Sequence, residues 1–196
     1  MEIRYEIKPR SQIGERDLVQ MHYLRSEIFR KRLGWSVSDC EGNETDEYDT
    51  DDTLYMLMYG REGDVCGCWR LLNTQSPYML ENNFSCLLHG QPAKKEMNIW
   101  ELSRFALKQV ASRSYGFSEA TLGAMRSLVE WASRERITEF LTVTTVAVYR
   151  MMASIGLDVE LYGPPIKIGS VMTVAMRIHL SHKTWDALFG EQRKIA

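Results

Sequence analysis

The chain lacks most of the features that would assign it quickly. No apolar run approaches the ~18–20 residues that span a bilayer, so no membrane-crossing helix is expected. Positive charge is not in surplus: 24 Lys and Arg stand against 26 Asp and Glu, a net charge of −2. That balance argues against a dedicated nucleic-acid binder. Cys40, Cys66, Cys68 and Cys86 contain no C-x-x-C spacing, so reduced, partly buried thiols are expected and a metal site is not. The opening MEIRYEIKPR alternates and carries charge, unlike a secretory leader, and a cytoplasmic protein is the expectation. His179 and His182 form an H-x-x-H pair without a companion cluster and read as surface histidines. There is no G-x-x-x-x-G-K-[ST], no G-x-G-x-x-G after a strand, no G-x-S-x-G elbow and no H-E-x-x-H. Repeats, low-complexity tracts and linkers are missing too.

What is there is an ordinary globular composition. The 196 residues are 44% apolar and 26% charged, enough for a single domain over 1–196 with a real core. EIRYEIK (2–8) alternates as a strand. Over 15–32, Leu18, Met21, Leu24 and Ile28 recur at helical spacing, with Arg25 and Phe29 on an adjacent stripe and Gly34 ending the helix. Residues 36–52 are polar and read as a long loop. Strands follow at 53–60 and 64–73, joined by GREG as a hairpin, and then at 98–107. Ser118 caps a helix to about 135, whose buried face is Leu122, Met125, Val129 and Ala132. EFLTVTTVAV (139–148) reads as a central strand running into a short helix at MMASIG. LDVELYG and KIGSVMTVAMRI read as a closing pair of strands, and KTWDALFG as a final helix. The sum is an α/β (or α+β) domain, a mixed sheet flanked by helices.

The charges raise the functional question. Residues 41–52, EGNETDEYDTDD, hold seven acids and no Lys or Arg. A solvated acidic loop is the ordinary outcome, and calcium is disfavoured because the EF-hand glycine and terminal glutamate are missing at their spacing. A third reading uses arginines set in apolar surroundings: Arg25 beside Phe29, Arg70 in CWRLL and Arg104 in LSRFA. Such arginines need acceptors, and Asp46 and Asp49 can supply them through bidentate pairs that clamp the loop. In NIWELSRFA (98–106), Glu101 and Arg104 are charges threaded through a core-like strand, where an unpaired charge is costly. Ser103 has no histidine nearby in sequence and reads as a structural hydroxyl. RSYGFS (113–118) approximates the R-x-x-G-x-[GA] loop of acetyltransferase-like folds, with Ser118 where Gly or Ala is usual.

Taken in order, LRSEIFRKRLGW, TDEYD, CWRLL, NIWELSRFA and TVTTVAVYRMM, spread over about Met21 to Pro165, resemble the LuxI-type acyl-homoserine-lactone synthases of bacterial quorum sensing. The resemblance implies an acetyltransferase-like (GNAT-like) fold with a V-shaped cleft. It also implies transfer of an acyl chain from an acyl carrier protein, or in some members coenzyme A, to the amine of S-adenosylmethionine. Lactonisation then expels methylthioadenosine. S-adenosylmethionine is a substrate here, and neither cofactor nor metal is called for, since a sulfonium is already a good leaving group.

On this resemblance Glu101 is the candidate base for the attacking amine. Arg104 suits the substrate carboxylate or the acidic loop, and Phe29 and Trp35 suit a wall around the sulfonium. Ser103, Phe105 and Thr142 complete the substrate-binding set, beside the electrostatic cluster Arg25, Asp46, Asp49 and Arg70. A threonine hydroxyl at 142, or at 144 if the match slips by a residue, would favour a 3-oxo chain of medium or long length, with Met125 and Leu128 lining its tunnel. Threonine is also simply a common strand residue. Residues 61–196 carry 16 basic and 13 acidic side chains, against 8 and 13 in residues 1–60. Arg113, Arg134, Arg136 and Arg150 are therefore candidates to steer an acidic carrier, or ordinary solvated charges. The competing readings are a generic acyl-CoA-dependent N-acyltransferase and a non-catalytic ligand-binding domain.

Overall fold

The periodic segments become the elements they predict, and the differences fall where side chains elsewhere decide the backbone. A computed structural model describes residues 3–32, 39–40, 43–108 and 116–190. Ten strands and five α-helices are present in the described residues. The chain divides into two compact units, Met1–Leu71 with Ser103–Arg113 and Leu72–Leu102 with Ser114–Ala196. The units interleave along the sequence, so no linker separates them.

In the first unit the strand order is β1 (Arg4–Pro9), β4 (Leu54–Tyr59), β5 (Val65–Asn73) and β6 (Ile99–Leu107), whose last five residues lie here. Helix α1 (Glu15–Ser26) packs its Met21 and Leu24 with Tyr55, Leu57, Tyr59, Val65, Cys68 and Ala106 into one core. Leu18 and Ile28 adjoin that core, completing the stripe with the spacing of three and four. Beyond Ser26 the helix continues as a π-helical turn, Glu27–Arg32. The Gly34 stop expected from the sequence lies outside the described residues. The acidic segment is not wholly loop, because β2 (Asp39–Cys40) and β3 (Asn43–Glu44) form a two-residue antiparallel ladder. Strands β4 and β5 are buried on both faces, and Gly67 is needed there. A Cβ at Gly67 would come within 2.6 Å of the Met58 sulfur and 2.9 Å of Leu107.

In the second unit the order is β6 (Ile99–Leu102 here), β7 (Glu139–Thr145), β10 (Val171–His179) and β8 (Val159–Leu161), with β9 (Ile166–Ile168) also on β10. β6 and β7 are parallel, joined through α3 (Glu119–Arg134), while β10 runs antiparallel to its neighbours. The Ser118 hydroxyl accepts from the Thr121 amide and starts α3 as predicted. Its buried stripe is Thr121, Ala124, Met125, Leu128, Val129 and Ala132.

The stretch 74–98, for which the sequence offers no element, contains α2 (Met79–Asn82) and a 3₁₀ turn at Ser85–Leu88. Two expectations are corrected. The strand at 139 ends at Thr145, whose hydroxyl accepts from the Val148 amide and starts α4 (Val146–Ser154) early. KIGSVMTVAMRI is two strands, β9 and β10, split where Gly169 adopts φ 60°. The last helix is α5 (His182–Phe189).

Register assigns faces in this unit, since paired residues of adjacent strands point to the same side. Leu102, Thr142 and Met176 share one face. Glu101, Leu141, Arg177 and Glu160 share the other. Among the described residues no helix is long and apolar enough to cross a membrane.

Candidate active site

In the first unit three arginines meet three carboxylates away from water. Arg25 projects from α1, Arg70 from β5 and Arg104 from β6, while Glu44 ends β3 and Asp46 and Asp49 lie in the turn after it. The Arg25 guanidinium donates to both oxygens of Asp49, at 2.8 and 3.0 Å, and its Nε donates to Glu44. Arg70 donates to Asp49 Oδ1 at 2.7 Å, to Asp46 Oδ2 at 3.0 Å and, through Nε, to the Ser103 hydroxyl at 3.0 Å. Arg104 reaches Glu44 Oε1 at 2.9 Å and Asp46 Oδ2 at 2.7 Å. The side chains of Arg25, Arg70 and Glu44 have no exposed surface. Three positive and three negative charges balance, which is what makes their burial tolerable.

The local sequence arranges these groups. The Asp46 amide donates to Asp49 Oδ2 and the Tyr48 amide to Asp46 Oδ1, so the turn holds both carboxylates before any arginine arrives. Arg104 has φ 56° inside a strand, a left-handed conformation costing about 1–3 kcal/mol in a non-glycine residue. It persists because Glu44 and Asp46 hold the guanidinium. The neighbours respond in protonation. Burial alone would raise the Asp49 carboxyl, but Arg25 and Arg70 hold it well below its ordinary range. Burial, and then Asp49, push the Tyr55 phenol up. Burial, and then Arg25, lower His22, whose Nδ1–H donates to the Glu44 carbonyl at 2.9 Å.

Aromatic groups back this network. Phe29 is buried in the π-helical turn, with the Arg104 guanidinium 5.4 Å from its ring centre. The cation over Phe29 is therefore one of the protein's own. Arg70 lies 5.5 Å from the Tyr48 ring, and Phe105 packs on Trp69 at 4.7 Å. Trp35 lies outside the described residues.

In the second unit Glu101 is 1% exposed. Its Oε2 accepts from the Met79 amide at 2.9 Å and its Oε1 from the Leu80 amide at 2.6 Å. These are the first amides of α2, which have no partner within the helix itself. The ionised carboxylate, an acceptor at both oxygens, matches two N–H donors. Thr142 is buried on the opposite face, between Leu102 and Met176 in register, and Met125 and Leu128 of α3 are buried as well. Thr144 is half-buried and Thr145 is spent on capping α4.

Other predicted residues are less drawn together. Arg134, Arg136 and Arg150 are exposed, and Arg113 lies outside the described residues. Cys66 and Cys68 are buried free thiols, and burial pushes Cys68 up to about 12; Cys86 is exposed. The surface reading holds for His182 but not for His179, which is half-buried between Glu139 and Glu160. Glu44, Tyr55 and His22 were not singled out from sequence. Glu44 sat in the same acid run, but its place depends on the β2–β3 ladder, which the sequence does not announce.

The chain matches the family described as autoinducer synthase over residues 10–188. An acyl-homoserine-lactone synthase of Pseudomonas aeruginosa is 46% identical over 187 residues, covering 94% of this chain and 93% of that one. Among solved structures, the AHL synthase LasI superposes with a TM-score of 0.89 at 45% identity, covering 96% of this chain and 95% of that one. TofI, in a ternary complex with an inhibitor and MTA, gives a TM-score of 0.80 at 31% identity, covering 94% and 96%.

Proposed function

Starting from the fact that this chain belongs to the autoinducer synthase family, we propose the donor, the acceptor and the residue roles of its acyl transfer. The protein is an acyl-homoserine-lactone synthase, an acyltransferase enzyme. The acceptor is S-adenosylmethionine and the donor an acylated carrier protein. The observation that carries the acceptor is the MTA bound to TofI, since methylthioadenosine is what S-adenosylmethionine leaves when its carboxylate closes a lactone. The donor reading rests on the exposed Arg134, Arg136 and Arg150.

The amine arrives as an ammonium and must lose a proton before it can attack a thioester. Glu101 takes that proton, directly or through one water. Its two amide bonds fix the orientation of the carboxylate. The neutral amine attacks the thioester carbonyl, the C–S bond breaks, and the second amine proton leaves with the thiol. The substrate carboxylate, oriented by Arg104, then displaces the sulfonium sulfur from the neighbouring carbon. Phe29, under the Arg104 guanidinium, positions Arg104 for that task.

Organic extracts of an expressing culture, read by mass spectrometry, test the activity: N-acyl-homoserine lactones should appear only with the gene. With purified components, acyl carrier protein should give the higher kcat/KM and acyl-coenzyme A the lower. Equal or reversed values would overturn the donor assignment. Glu101→Gln should lose roughly 10²-fold or more in kcat. Near-normal turnover would remove Glu101 as the base.

A further inference from the structure

We propose that the proton taken by Glu101 leaves the protein along its own face of the sheet, through Glu139, His179 and the exposed Glu160. The proposal rests on the reading of Glu101 as base, and it answers a need that reading creates. The ammonium loses two protons on becoming an amide; one departs with the thiol, and the other must reach solvent in every turnover. Glu101 is 1% exposed and so does not itself stand in bulk solvent.

The register supplies a route within the second unit. Glu101 is opposite Leu141 and Ile99 is opposite Glu139, so Glu101 and Glu139 share a face as diagonal neighbours. Glu139 is directly opposite His179, and its Oε2 lies 3.3 Å from Nδ1 of that ring. The other ring nitrogen, Nε2, lies 3.2 Å from Oε2 of Glu160, whose side chain is 53% exposed. An imidazole between two carboxylates accepts a proton at one nitrogen and gives one up at the other. Arg177 donates to Glu160 Oε1 at 2.6 Å and holds the outer end in place.

Buried polar atoms without partners among the described residues accompany the inner part of this row. Glu139 Oε1, the Tyr162 hydroxyl and Arg177 Nε are buried, and none has a hydrogen-bond partner among the described residues. Glu139 is 8% and Tyr162 4% exposed, and buried polar atoms of this kind are ordinarily satisfied by ordered water. Tyr78, next to the Met79 amide that holds Glu101, is itself buried, and its hydroxyl donates to the Lys94 carbonyl at 2.9 Å. Burial raises Glu139 above its ordinary value, against the pull of His179, Arg177 and Lys94 and with the push of Glu160. A carboxyl so placed can hold a proton in transit. Burial and the Glu139 charge push the Tyr162 phenol up to about 12, so it remains a donor at neutral pH.

A row that merely staples β7, β10 and β8 together would affect stability alone, and the test separates the two roles. Lactone formation is measured in dilute buffer for Glu139→Gln and for His179→Gln, the second at a half-exposed site where folding is safe. The expected result is a fall in kcat of roughly tenfold or more, with KM for both substrates unchanged and turnover restored by added imidazole. Unchanged kcat, or a loss that imidazole does not restore, overturns the relay. If Glu139→Gln fails to fold, His179→Gln decides alone. Glu101→Gln in the same assay keeps the two readings apart. Its retention of activity removes the base, whereas its loss beside normal Glu139 and His179 variants removes only the relay.

Discussion

Arg70 shows how much can depend on one buried side chain. It binds Asp46, Asp49 and Ser103 at once, so Arg70→Ala leaves two carboxylates buried beside a single missing charge. Breaking such a pair costs ~3–5 kcal/mol, far above a surface ion pair. Chemical denaturation should show that loss together with lower activity and faster proteolysis near residue 46. An unchanged unfolding midpoint would mean the network does not hold the turn.

The same residues set the response to pH. Asp49 is held below its ordinary 3.8, so its contribution to stability is complete above about pH 4 and is lost as pH falls through the folded value. His22 is lowered from 6.5. The unfolded chain therefore binds its proton first on acidification, and stability declines as pH drops below about 6.5. His22→Asn should flatten urea-derived stability between pH 6.5 and 5 relative to the parent. An identical slope would show that His22 is not the group responsible.

At the scale of elements, the segments read correctly are those whose own periodicity agrees with their environment. α1 and α3 carried helical stripes and β4 to β6 carried apolar runs, and these formed close to their predicted bounds. α2 carried no such signal, because its first amides are satisfied by Glu101, a residue some twenty positions away. The β7–α4 boundary was obscured by Val146 and Val148, whose β-branching reads as strand, while the Thr145 hydroxyl starts the helix there. The face assignment of β7 bears on substrate choice. Thr142 lies on the side opposite Glu101, so a hydroxyl there can select the acyl substituent without taking part in proton transfer. Thr142→Ala should lower the ratio of 3-oxo to unsubstituted lactone by mass spectrometry, with total turnover less affected. A constant ratio would show that Thr142 does not select the substituent.

For the molecule as a whole, charge is divided unevenly: residues 61–196 carry the basic excess. Charge reversal at Arg134, Arg136 and Arg150, all exposed, should raise KM for an acidic carrier, more strongly at low ionic strength, and spare KM for S-adenosylmethionine. Equal effects on both would count against a docking surface.

The sequence by itself determined the class of fold and the family, because an ordered set of motifs and a consistent periodicity survive without any knowledge of distances. It also narrowed the acceptors of three arginines to one acid-rich segment, since apolar flanks imply buried cations and only 41–52 offered a dense supply of carboxylates. Tertiary structure alone decided which carboxylates. Glu44 was placed there by a two-residue ladder, and Arg104 holds Glu44 and Asp46 from a left-handed conformation in mid-strand. It alone decided, too, that Glu101 faces Glu139 and not Thr142. Strand register is set by pairings between distant segments, and a shift of one residue would exchange the two faces.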